Sequence, residues 1–599
     1  MDNDNSRNTI IFVICALGLW FAYDFLVLQP AQKQQAAQKA IQQKQAIAQP
    51  GVAVNPDGTP APVFIPVAQA LARPSVAIDT PALTGSISLE GGRFDDLNLR
   101  NYRQTLDPKS PMVELLRPLG AQHAFFAQFG WSGQNLTGLP DAHTPWTLAS
   151  TGALTPGHPV RLTYSTPQGL AFTRDIAVDD QFMFTVTDTV VNSGPAPVTI
   201  TPYGAVERQG VPPPKARASA SADGAFSVLG KDKEYRLKIR QYKPWAKDGQ
   251  YDLPSTGGWM GIADKYWLTA LVPDQKEPLN ARFSAGPFGS EKVFQIRYEG
   301  QPHLLNPGSQ VTETRRLFAG AKRAPVLTGY TKSLGIPRFV DAIDWGWGWY
   351  ITKPLFWLIE FFQRYIGNFG LAILMLTVAI KIAFFFPANM SFESMTKMKK
   401  VQPQLDKLKE RFKEDPAALQ QNMMKLYKEE KINPLLGCLP MLATMPVFFG
   451  LFKVLNTTIE MRQAPFFGWI QDLSDRDPTS ILTLFGAIPW DPSLVPLIGG
   501  FLDGPLHLGI WPLLYGITMI LTQSMSPPAG DPTQQMIMKW IPVIFTFVMS
   551  SLPAGLIIYY CWSNSLTIVQ QYIIMRRFKV DNPIDAGLRR ITGKPKPAG

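Results

Sequence analysis

The chain has 599 residues, 57 of them basic and 46 acidic, for a net charge of +11, with 46% hydrophobic and only 17% charged side chains. Its three cysteines, Cys15, Cys438 and Cys561, all lie in apolar stretches, which excludes a disulfide framework for the polar part of the chain and any cysteine-ligated metal site. Much of the positive charge flanks apolar runs, so the excess is not the signature of a nucleic-acid-binding globule, and a mean hydropathy of −0.01 reads as a water-soluble part joined to a membrane part.

Ile10 to Leu28 is nearly all apolar, follows Arg7 and is broken only by Asp24. It is long enough to cross a hydrocarbon core of roughly 30 Å, and it lacks the small-residue cleavage site of a secretory signal close behind it. Residues 1–28 are therefore expected to be a cytoplasmic N-terminus and an uncleaved first transmembrane helix. Residues 29–75, rich in Gln, Ala and Pro, read as a flexible linker. From 76 to 335 the pattern changes to short alternating runs such as FMFTVTDTVVNSG and KVFQIRYEG, bounded by Gly, Pro, Asn and Asp. Period-two alternation without helical stretches predicts an antiparallel β-sandwich. Sandwiches of this size often bind or process sugars, but His123, His143, His158 and His303 are scattered and spell no acid/base constellation.

Trp345, Trp347 and Trp349 beside Asp341 and Asp344 read as an interfacial amphipathic helix over 336–353, or equally as an aromatic belt at the mouth of the next span. The apolar part, 354–575, divides into five spans: Pro354–Phe386, Leu436–Leu455, His507–Gln523, Ile537–Leu552 and Gly555–Ile574. With the anchor these make six. Ten Lys and Arg residues load 387–435, and seven load the tail, 576–599, whereas the loop 456–506 carries only Arg462 and Arg476. The positive-inside rule then places hairpin, tail and both termini in the cytoplasm, and the sandwich and the 456–506 loop outside, in the periplasm. The basic loop reads as two helices, Ser391–Phe412 and Pro416–Lys431. Met395, Met398 and Met423 lie on their apolar faces, either as adaptable contacts for passing apolar chains or as the seam between the helices.

Polar residues inside the spans carry the sharper signal. Tyr560, Asn564, Thr567 and Gln571 are spaced four, three and four, so they share one face of the last span, with Ser563 beside them. Tyr515, Thr518 and Thr522 do the same on the fourth, Thr377 lies one turn above Lys381, and Thr444 adds a hydroxyl on the third. Interhelical glue accounts for hydroxyls and amides. It does not account for Lys381, an ammonium costing several kcal/mol in lipid. Lys381 either snorkels to the inner interface or sits in a wet groove open to the cytoplasm, and the spacing leaves both open.

The stretches KEEKINPLLGCLPML, MRQAPFFGWIQDLSDRDP, MSPPAGDPTQQMIMKWIPVIFTF and PAGLIIYYCWSNSLTIVQQYI closely resemble the bacterial YidC membrane-protein insertases, and the six-span layout is similar to their Gram-negative form. The resemblance is dense over residues 336–580. Over the sandwich it rests on position and strand pattern, which is similar to a galactose-mutarotase-like fold. It implies a multi-pass protein of the cell inner membrane, without catalytic residues, metal or cofactor. Such a protein inserts nascent membrane proteins through a hydrophilic groove, alone or with the Sec translocon. Lys381 matches the family's groove cation, and Thr377, Thr444, Tyr559 and Tyr560 match groove or substrate positions. Relatives usually carry arginine at 381 and glutamine is familiar at 444, so the charge is kept here and the planar fork is not. The basic tail is a site for ribosomal RNA or for anionic lipid. Two rival functions stand beside this one, a secondary transporter and a membrane-anchored sugar-binding protein. The first lacks visible internal repeats, and no phosphate loop supports nucleotide chemistry.

Overall fold

The computed structural model describes residues 64–211, 222–231, 234–289, 291–412, 415–430, 432–433, 439–495, 498–504, 506–526 and 532–592. The expected first span, most of the linker and the end of the tail lie outside the described residues.

Nineteen strands between Ser75 and Ala321 form two antiparallel sheets, one of ten strands and one of nine. Alternation in sequence becomes alternation in burial. Along Met183–Asn192, the residues Phe184, Val186 and Val190 are fully buried, and the threonines between them are half-exposed. That strand pairs with Gln310–Ala321 on one side and Leu170–Val178 on the other, and Phe184 packs edge-on against Phe94 of the opposite sheet at 5.0 Å. The domain is the β-sandwich that the alternation predicts.

The remainder is helical. Helix α1 (Ala324–Leu334) leads out of the sandwich, followed by α2 (Trp349–Ile366), α3 (Phe369–Ala383), α4 (Phe385–Lys400), α5 (Gln402–Arg411) and α6 (Pro416–Glu429). Then come α7 (Leu439–Thr457), α8 (Ile510–Met525), α9 (Pro532–Met549), α10 (Ala554–Arg577) and α11 (Pro583–Thr592). Helix α3 packs against α2 and α10, while α8 packs against α9 and α10. A single apolar core runs from the sandwich through Leu327, Phe339 and Trp345 into Phe356, Ile373 and Leu455 of the helices.

Several helix boundaries depart from expectation: α4 starts at Phe385 rather than Ser391, α9 covers Pro532–Met549 rather than Ile537–Leu552, and four others have local causes. The span Pro354–Phe386 is two helices, because Gly367 adopts the left-handed conformation (φ 74°) and Asn368 caps α3, its side chain accepting from the Leu371 N–H at 3.0 Å. The amphipathic helix expected over 336–353 is displaced to α2. Its start lies beyond Trp345, which is buried against Phe356 with its indole N–H donating to the Val340 carbonyl, whereas Trp347 and Trp349 are exposed. The helix expected over Ser391–Phe412 breaks after Lys400, where Pro403 in the first turn of α5 has no N–H for a continuous ladder. The fourth span begins at Ile510 rather than at His507, whose ring instead lies buried within hydrogen-bonding distance, 3.0 Å, of the Asp477 carbonyl.

The two parts are locked together at α1 and the loops beside it. Glu460 accepts from the Ala324 N–H at 2.9 Å, satisfying one open donor at the start of α1. Lys453 pairs with Asp344 at 2.7 Å, and Arg462 donates to the Arg103 and Gln104 carbonyls while stacking over Trp267.

Candidate functional site

Lys381 occupies the last turn of α3, where the unpaired carbonyl end of the helix favours a cation. Its ammonium is half-buried and donates to Thr567 Oγ1 on α10 at 2.6 Å. The Thr567 hydroxyl donates in turn to the Ser563 carbonyl at 2.8 Å, which leaves its oxygen free to accept from the lysine. An ammonium has three donors, so this contact leaves it with capacity for an incoming acceptor.

One turn higher on α10, the Asn564 amide donates to Thr518 Oγ1 on α8 at 3.2 Å, and Thr518 and Thr522 donate back to the Tyr515 and Thr518 carbonyls of their own helix. Tyr560 is half-buried among Phe448, Tyr515 and Tyr559, at ring separations of 5.7, 6.0 and 5.1 Å. Below Thr567, Gln571 Oε1 and Gln570 Nε2 are buried with no hydrogen-bond partner among the described residues. A polar seam therefore runs down α10, joined to α3 at one level and to α8 at another. Gln570 was missed from the sequence because the four-three-four spacing selects its neighbour.

Lys381, Thr567, Asn564 and Thr518 are brought together along this seam, and Thr522 lies one turn beyond Thr518 on α8 with its hydroxyl on its own backbone. Three others are placed differently. Thr377 is 1% exposed and spends its hydroxyl on the Ile373 carbonyl at 2.8 Å, while Tyr559 and Ser563 are packed inside the bundle. Thr444 is half-buried on α7. In the hairpin, Met398 and Met423 pack on Val401, Leu405 and Ile432, the seam between the helices, while Met395 is half-buried outside that cluster. Lys399 ties the hairpin to the end of α8 by donating to the Ser524 carbonyl at 3.2 Å.

Around the seam the outer faces are apolar. Ile537, Trp540, Ile544 and Val548 of α9 and Leu514, Ile517 and Ile520 of α8 are all exposed. So wide an apolar surface fits lipid and not water. No single described helix is long and apolar enough to cross a membrane alone, whereas α3 and α4 together pass on length and composition with a bend of 70° between them.

A helical bundle with apolar outer faces and a polar interior seam, attached to an antiparallel sandwich, defines a multi-domain membrane protein. The family model described as 60Kd inner membrane protein matches residues 361–582, and the YidC periplasmic domain matches 75–358. A membrane protein insertase YidC of Caulobacter vibrioides (strain NA1000 / CB15N) is 50% identical, with 99% of each chain covered. A crystal structure of an active YidC insertase with its first transmembrane domain resolved aligns over 87% of this chain and 95% of that one, at 16% identity and a TM-score of 0.35. A galactose mutarotase related enzyme from Lactobacillus acidophilus aligns over 41% of this chain and 97% of that one, at 10% identity and a TM-score of 0.29. The chain belongs to the YidC family of membrane protein insertases. It is an inner-membrane protein whose work is the insertion of other membrane proteins.

Proposed function

We propose that the seam around Lys381 is the route by which an incoming chain's polar end crosses the membrane. The observation that carries this reading is the ammonium's partner: a hydroxyl at 2.6 Å, itself saturated as a donor, in place of a carboxylate. A carboxylate partner would offset the ammonium's field, whereas a hydroxyl accepts one hydrogen bond and cancels no charge, which leaves that field open to a passing acidic segment. The nascent segment meets the basic hairpin, its short acidic tail is drawn to Lys381, and its apolar part moves sideways into lipid. Burial of apolar surface at about 25 cal/mol per Å² supplies the drive, and no nucleotide is needed. Thr518, Thr522, Asn564, Thr567 and Gln571 keep the route wet, Tyr560 and Thr444 line it, and Thr377, Tyr559 and Ser563 support it from within the bundle.

The loading of Lys and Arg supports an orientation with hairpin, tail and both termini in the cytoplasm and the sandwich in the periplasm. Proposed partners are nascent membrane proteins, the Sec translocon, anionic lipid and, through the tail, the ribosome. Arg576 of that tail is already engaged, with Asp585 at 3.2 Å. A photo-crosslinker at position 381, with a ribosome-stalled single-span substrate, tests the route. Adducts with the acidic tail are expected, and adducts with lipid alone would overturn it.

A further inference from the structure

The loop between α7 and α8 carries apolar surface that neither the core nor the seam uses. Residues 481–494, ILTLFGAIPWDPSL, contain a single ionisable group, Asp491, yet Ile481, Leu484, Phe485, Ile488, Trp490 and Leu494 are all exposed. Leu484 and Leu494 reach 61% and 78%. A patch of this kind in a loop marks an interaction surface.

The loop is firmly fixed at its base. Asp477 is 1% exposed, and its carboxylate accepts from the Trp511 N–H at 2.8 Å, the Thr479 N–H and hydroxyl at 3.0 and 2.7 Å, and the Trp469 indole at 3.1 Å. Thr479 Oγ1 accepts in turn from the Ile510 N–H at 3.0 Å, so the pair caps the first turn of α8. The Ile481 N–H donates to the Leu508 carbonyl at 2.8 Å, and Arg476 and His507 close on Asp503. Beyond this base, Leu484 and Phe485 both take left-handed backbone angles (φ 45° and 58°), a conformation that costs an ordinary residue about 1–2 kcal/mol. The Phe485 N–H on the Ser480 carbonyl (2.7 Å) and the Ile488 N–H on the Thr483 carbonyl (3.0 Å) hold them there. The chain thus spends local strain on a turn that presents its apolar side chains outward.

What covers them is read from their neighbour. The loop's base is hydrogen-bonded to the start of α8, Ile481 to Leu508 and Thr479 to Ile510, about one turn before the exposed Leu514 and Ile517, so the patch leaves the base beside the apolar outer face of that helix. Helix α8 has 16 residues, about 24 Å of rise, against roughly 30 Å of hydrocarbon. The turn adds apolar height at the end where α8 falls short. Trp490 and Trp469 are both exposed, as suits indoles at a headgroup boundary, and Asp491 occupies itself by accepting from the Ser493 N–H at 2.9 Å. We propose that residues 481–494 are a lipid-docking turn, seated in the outer interfacial layer of the bilayer against the end of α8. Docked there, the turn fixes the outer end of the helix that carries Thr518, and with it one wall of the seam.

The inference rests on reading α8 as a span with this end outside, and the test separates the two. Nitroxides are placed at I488C and L494C, at I517C on the lipid face of α8 and at S165C on the sandwich surface. The full chain, with Cys15, Cys438 and Cys561 replaced by alanine and insertion activity retained, is reconstituted in phosphatidylethanolamine–phosphatidylglycerol vesicles. Collisions with molecular oxygen are expected to exceed those with a water-soluble nickel chelate several-fold at 488, 494 and 517, with the reverse at 165. Chelate-dominated labels at 488 and 494 beside a lipid-accessible 517 overturn the docking turn and leave the span standing. A chelate-dominated 517 overturns both. Labels at 488 and 494 shielded from both reagents mean that protein covers the patch, a second copy or a substrate, and also overturn it.

Discussion

The sandwich and the helical bundle both bury charged and polar groups, and they treat them in opposite ways. In the sandwich a buried charge meets opposite charges, although Arg174 Nη1 and Arg315 Nε keep no hydrogen-bond partner among the described residues. Asp188 is fully enclosed, with Arg174 on it at 2.7 and 2.9 Å, the Trp131 indole at 2.9 Å and Arg315 closing the other side while also donating to the Gly130 and Tyr203 carbonyls. Arg174, Arg315 and Asp188 are all 0% exposed. In the bundle, Lys381 has a hydroxyl, Asn564 has another, and Gln570 and Gln571 each keep a buried atom without a partner among the described residues. A network of paired charges rigidifies a scaffold. Unfilled capacity suits a surface that must receive a succession of different chains and let each one go.

Since the sandwich holds its buried charges in pairs, removing the central carboxylate has the largest effect of any single change. Burial alone would push the Asp188 carboxyl up, but the Arg174 and Arg315 guanidiniums beside it hold it at about 2. Its contribution is therefore present above the ordinary carboxylate range and is lost as pH falls through about 2. Asp188→Asn leaves two guanidiniums uncompensated and should lower sandwich stability by about 3–5 kcal/mol, read from thermal or urea unfolding followed by near-UV circular dichroism. A loss below about 1 kcal/mol would mean that the charge pairing contributes little to the sandwich.

The junction between the two regions is the next most sensitive point. Burial raises the Glu460 carboxyl to about 7, against the help of the Ala324 N–H and nearby Arg323. A raised carboxyl favours the neutral folded form, so the junction is strongest below about pH 4.5 and weakens as pH climbs through about 7. Glu460→Gln should remove most of that pH dependence, worth up to about 3 kcal/mol, in hydrogen exchange of the α1 amides between pH 5 and 8. An unchanged slope would place the titration elsewhere.

The same contrast explains what could be read from the sequence. Alternation spelled out the sandwich, since runs such as FTVTDTVVN, from Phe184 to Asn192, alternate in burial residue by residue. Spacing of four, three and four on α10 identified Asn564, Thr567 and Gln571 because a helix face is a local property. Boundaries set by single residues were not legible: Gly367, Asn368 and Pro403 each sit in an apolar or amphipathic run whose periodicity carries on past them. Nor were long-range partners. Asp188 with Arg315, Glu460 with Ala324 and Asp344 with Lys453 are separated by more than a hundred positions, and no local pattern pairs them. Thr377 shows the converse error, since its place one turn above Lys381 suggested a shared surface, while its hydroxyl is turned to its own backbone.

In the bundle, charge should matter more than shape. Lys381→Ala is expected to slow insertion of an acid-tailed single-span substrate into proteoliposomes about tenfold, near 1.4 kcal/mol, while Lys381→Arg keeps the rate within a few-fold. Equal rates for Lys381→Ala and the unaltered protein would remove the ammonium from the route. The smallest effect should come from the hydrogen bond that merely joins walls. Asn564→Ala deletes the contact to Thr518 at 3.2 Å, and interhelical bonds of this kind contribute about 0.6 kcal/mol. A double-mutant cycle with Thr518→Ala, read from bundle unfolding in mixed micelles, should return a coupling of that size. A coupling several times larger would mean that the seam is held as tightly as the paired charges around Asp188, and the contrast between a charge-paired scaffold and a receptive bundle would fail there.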